Sequence, residues 1–89
     1  MSKNQIALSS LSMDLKRVAL GYHRGSTVMA DRFLKEAIKR RDEIDASTVK
    51  PYVNKILGKL DLLVKEKNNG KLAEDALMYS TLFQNASLN

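Results

Sequence analysis

The chain has 89 residues, 44% of them hydrophobic, and a formal net charge of +5. That is one domain's worth of sequence with enough apolar content for a packed core, which excludes a disordered chain. The absence of cysteine removes disulfides and thiolate chemistry, and no apolar run reaches the length of a membrane span or a signal-peptide core, so a soluble cytoplasmic protein is expected.

Apolar residues recur at helical spacing almost throughout, and period-two alternation is nowhere sustained, so the spacing predicts an all-α fold. The first predicted helix covers about residues 9–24, with Leu8, Leu11, Leu15, Val18 and Tyr22 on one face. Ser9 or Ser10 is its expected cap, and Asp14 is placed near the positive end of its dipole. The second covers about residues 27–44, with Met29, Phe33, Ala37 and Ile44 inward. A polar loop follows at residues 45–48, and Pro51 fits only the first turn of a third helix over about residues 49–67. Its expected stripe is Tyr52, Val53, Ile56, Leu60, Leu63 and Val64. Asn68-Asn69-Gly70 reads as a stop signal, since Asn and Gly tolerate the left-handed cap. The fourth helix covers about residues 71–84, with Leu72, Ala76, Tyr79 and Phe83 inward and Leu77 also expected in the core. Residues 1–89 make a single domain, with residues 1–8 and 85–89 expected as flexible ends.

The stretch GYHRGST, residues 21–27, sits between the first two helices and admits two readings. A break at Gly25 gives a small antiparallel four-helix bundle. Helical phase, however, runs through it from Leu8 to Ile44 almost without a slip, so the alternative is three helices, the first continuous over residues 9–44. That helix would be about 50 Å long and would leave apolar surface for a second subunit. Met13, Leu20, Leu34 and Ile38 lie off the main stripe of the first two segments and are the candidate oligomer-interface residues.

Catalytic and cofactor chemistry finds little support. The stretch lacks the Lys and the spacing of a nucleotide-binding P-loop. A single histidine and no cysteine leave carboxylates as the main metal ligands, and none has the Glu-x-x-His spacing of di-metal bundles. No enzyme, metal, cofactor or small-molecule substrate is therefore expected. His23-Arg24-Gly25-Ser26 resembles in part the phospho-accepting segment of histidine phosphotransfer bundles, although the basic residue follows the histidine directly. That resemblance implies a phosphorelay element using His23.

Charge gives a stronger lead. Residues 1–41 hold nine Lys/Arg against three Asp/Glu, while residues 42–89 hold six against seven. On the helical wheel, Arg17, Arg24, Arg32, Lys35 and Lys39 fall together opposite the apolar stripe, even across a modest kink, a row suited to phosphates or an acidic partner. The leading expectation is a non-enzymatic protein-binding adaptor or assembly module that self-associates. The alternative is a sequence-independent nucleic-acid binder, with the phosphorelay element third.

Overall fold

The computed structural model describes residues 2–88. Among these the chain forms four α-helices and no strand: α1 (Lys3–Arg24), α2 (Thr27–Asp42), α3 (Pro51–Lys65) and α4 (Asn69–Ser87), with a single 3-10 turn at Ala46–Thr48. The four-helix reading is therefore the right one. The continuous helix fails at Gly25, whose φ of 80° is left-handed. The longest dimension of the molecule is 35 Å, close to the length of about 33 Å that the 22 residues of α1 give at 1.5 Å per residue.

α1 begins six residues earlier than expected. Ser2 Oγ accepts from Gln5 N at 3.1 Å, and Gln5 Oε1 accepts from Ser2 N at 2.8 Å, a capping box that satisfies two amides at once. Ser9 and Ser10 thus lie inside the helix rather than at its cap. The segments expected as flexible ends are helical over residues 3–8 and 85–87; Met1 and Asn89 lie outside the described residues. Asn68-Asn69-Gly70 is a start rather than a stop: Asn68 Oδ1 accepts from Lys71 N at 3.0 Å and caps α4.

α1 is the centre of the packing and has its most extensive contact with α4, then α2. α1 and α4 run antiparallel. Ser12 Oγ donates to the Ser80 carbonyl at 2.7 Å, and Ser80 Oγ donates to the Ser12 carbonyl at 2.8 Å. Seven residues onward from Ser12 is Ala19, and seven back from Ser80 is Ala73, both buried. These small residues form a seam that lets the two backbones approach closely.

Against α2 the close approach is made by Gly21. A Cβ there would stand 2.8 Å from Ala30 Cβ and 3.3 Å from the Ser26 carbonyl. This contact sets the rotation of α2. Ala30, Leu34 and Ala37 are buried, whereas Met29 is 55% exposed and Phe33 only half-buried, so the expected Met29–Phe33 face is turned aside. On α3 the buried stripe is Val53, Leu57, Leu60 and Leu63; Tyr52 and Val64 face solvent. Leu77, expected in the core, is 51% exposed because Ala73, Ala76 and Ser80 take the inward positions around it.

Two ion pairs tie α2 to its neighbours. Asp14, expected as a dipole complement, is instead buried in mid-helix, where it accepts from Arg17 Nη1 at 3.3 Å and from Arg40 Nε at 3.1 Å. Arg41 donates to Asp61 at 2.7 Å and closes one end of the α2–α3 seam.

Gly21→Ala is expected to lower stability on chemical denaturation, although helix propensity alone would raise it by about 1 kcal/mol. Gly58→Ala, where nothing lies within 4 Å of the added carbon, should show that gain. Leu60→Ala should cost about 2–5 kcal/mol, against less than about 0.5 kcal/mol for the exposed Leu77→Ala.

Candidate functional site

The GYHRGST stretch is a helix-ending turn. Ser26 N donates to the Gly21 carbonyl at 2.8 Å and Gly25 N to the Tyr22 carbonyl at 3.3 Å, the paired bonds of a Schellman motif. Ser26 makes no side-chain cap bond to α2. His23 and Arg24 are exposed, and both sit in the last turn of α1, where cations suit the dipole.

The turn reverses the chain, so the five predicted cations do not form one row. Arg32, Lys35 and Lys39 share the solvent face of α2, opposite Ala30, Leu34 and Ala37. Arg17 lies across the α1–α2 contact, paired with Asp14 and with its guanidinium 5.4 Å from the centre of the Phe33 ring. Arg24 stands apart at the end of α1.

The predicted interface residues also divide. Leu34 belongs to the core and is corrected: only 7% of it is exposed, because it lies on the buried face of α2 with Ala30 and Ala37. Ile38 is partly buried against the core. Met13 and Leu20 are exposed, and Ile6, which sequence reasoning left outside the helix, joins them. The three repeat every seven residues and so form one row that drifts by only about 20° around the helix at each step.

The seam shows which way this row faces. Leu11 and Val18 precede Ser12 and Ala19 by one residue, and Tyr79 and Leu72 precede Ser80 and Ala73; all four are buried. Residues that follow the seam by one therefore point away from the core on both helices. On α1 these are Ile6, Met13 and Leu20. On α4 they are Glu74, Thr81 and Leu88, with Leu77 one turn before Thr81. The outward face of the α1–α4 pair thus carries five exposed large apolar side chains, Ile6, Met13, Leu20, Leu77 and Leu88.

A cleft of about 660 Å³ opens at the other end of the α2–α3 seam, floored by Leu34, Ile38, Val64 and Leu72. Its carboxylates are engaged within the chain. Asp31 accepts from the Tyr22 hydroxyl, and Glu66 accepts from Asn68 N at 3.1 Å and lies 3.6 Å from Lys71 Nζ. Burial, then the Asp31 carboxylate, pushes the Tyr22 hydroxyl from its ordinary 10.0 up to about 12. Among the described residues no three His, Asp or Glu side chains converge as a metal site would need, and no helix is long and apolar enough to cross a membrane.

Comparison with known proteins finds no matching family model, no significantly similar curated protein and no significantly similar solved structure.

The raised Tyr22 value favours the neutral phenol in the folded state. Its contribution to stability is present below pH 10.0 and is lost as pH rises through about 12. Spectrophotometric titration of tyrosinate should show a late-titrating component, part of which Tyr22→Phe removes. Loss of only the early component would show that the Tyr22–Asp31 bond does not hold in solution.

Proposed function

We propose that this chain is a non-enzymatic helical binding module that holds another protein along the outward face of the α1–α4 pair. The observation that carries the reading is the apolar row Ile6, Met13 and Leu20, more than two-fifths exposed at each position, with Leu77 and Leu88 beside it. Apolar side chains grouped on one face of a small domain mark an interaction surface more often than scattered ones do. Self-association through this face is the less favoured version. A second copy related by a two-fold axis would bring together two α1 surfaces that carry Lys16, Arg17 and Arg24 and no exposed acid.

A second reading rests on α2. Arg32, Lys35 and Lys39 are exposed, and none is in an ion pair among the described residues, which supports weak, salt-dependent binding to a nucleic-acid backbone. They lack interleaved aromatic side chains for base stacking, which places this reading behind the first.

Photocrosslinking in the cells that make the protein tests the leading reading. A photoreactive side chain at Met13 or Leu77 should give a discrete protein adduct, and the same group at the exposed Lys55 on α3 should not. Equal adducts from all three positions, or none from Met13 and Leu77, would overturn the assignment of the face. Nucleic acid recovered from Arg32 instead would favour the second reading.

A further inference from the structure

The exposed face of α1 has an uneven charge. Its 22 residues contain one acid, Asp14, and that carboxylate is buried and engaged by Arg17 and Arg40. The charge that α1 shows to solvent is therefore cationic: Lys3 near its start, Lys16 on the α4 side of the Ile6–Met13–Leu20 row, Arg17 on the α2 side and Arg24 at its end, with Ser9 and Ser10 partly exposed among them. The row itself is one residue wide and about 21 Å long, from the rise of 1.5 Å per residue. Its seven-residue step is the step at which a second helix laid alongside returns the same face.

From this charge and spacing we infer that the partner segment is an amphipathic α-helix with acidic side chains flanking its apolar stripe, seated in the groove between α1 and α4. The inference rests on the binding-module reading above and names the chemistry of its partner. Apolar anchors from the segment pack on Met13, Leu20 and Leu77, while its carboxylates meet Lys16 along the groove and Arg24 at its end. Exposed charges of this kind contribute more to selection and association rate than to affinity. The face fits an anionic membrane less well. Glu74, Thr81 and Gln84 of α4 break its apolar surface into a narrow strip along α1, which matches a helix rather than a flat bilayer. A nucleic-acid backbone would leave the apolar row without a partner.

The test uses the full chain, labelled with 15N, and designed helical peptides of about three heptads. One peptide carries Glu beside its leucine stripe and its counterpart carries Lys; phosphatidylglycerol vesicles and a single-stranded RNA are the competing probes. The acidic peptide should shift amides along residues 6–24 of α1 and 77–88 of α4, but not those of α3, and the Lys peptide should not bind. Raising salt from about 50 to about 300 mM should weaken the complex. The double variant Lys16→Glu/Arg24→Glu, at two exposed positions, should weaken it about tenfold and gain affinity for the Lys peptide. Silence of the acidic peptide at low salt, indifference to the charge reversal, or tighter binding of vesicles or RNA on the same face would each overturn the inference. A Met13 photoadduct together with a silent acidic peptide would discard only the acidic helix, whereas loss of the adduct would discard the binding face itself.

Discussion

The reciprocal hydrogen bond between Ser12 and Ser80 is the contact on which the rest of the bundle depends. Each hydroxyl donates to the carbonyl of the facing helix, at 2.7 and 2.8 Å, across 68 residues of sequence. Two such bonds are worth only about 1 kcal/mol each in net terms. Their larger effect is on register. Sliding α4 by one turn would strand two buried hydroxyls and drive larger side chains into the space that Ser12, Ala19, Ala73 and Ser80 leave open. Among the described residues no buried side-chain nitrogen or oxygen lacks a partner, so the polar atoms of this seam are satisfied.

With α4 fixed along one side of α1, Gly21 fixes α2 along another. α1 is thus held by small residues on two sides: Ser12 and Ala19 toward α4, Gly21 toward Ala30 of α2. α3 is held more loosely, by the apolar side chains Val53, Leu57, Leu60 and Leu63 and by the Arg41–Asp61 pair. That difference explains the cleft at the far end of the α2–α3 seam, where no counterpart of Arg41 draws the helices together. It also explains the exposed row on α1. The two inward sides of the helix are occupied by α2 and α4, and Ile6, Met13 and Leu20 are what remains.

Asp14 links the packing to the surface charge. A carboxylate buried to this extent is costly unless it is paired, and two guanidinium groups pair it. In turning inward it joins α1 to α2, and it removes the only negative charge that α1 could have shown to a partner. One side chain therefore serves the bundle and leaves the outer face of α1 cationic.

The local pattern of the chain left open whether Gly25 breaks the first helix, but it determined the helical class, the place of Pro51 in the first turn of α3 and the excess of cations in the first 41 residues. These follow from periodicity, ring geometry and composition, which need no distant partner. The sequence also marked Met13 and Leu20 as surplus apolar residues, and the Ser2–Gln5 spacing carried the signal that would have placed Ile6 beside them. The apolar stripes of α1 and α4 were legible in the sequence, whereas tertiary structure alone decided which stripe α2 buries and which flanking residues turn in or out elsewhere. On α2 the choice fell to Ala30 and Leu34 over Met29 and Phe33 because Gly21 admits only a small residue opposite it. On α4 the small residues of the seam turned Leu77 outward, and on α1 the approach of Arg40 from α2 drew Asp14 inward. Periodicity gives the direction of an apolar arc to within about one residue, or 100°. Only the shape of the facing helix, set by residues far away in sequence, selects the residue within that arc.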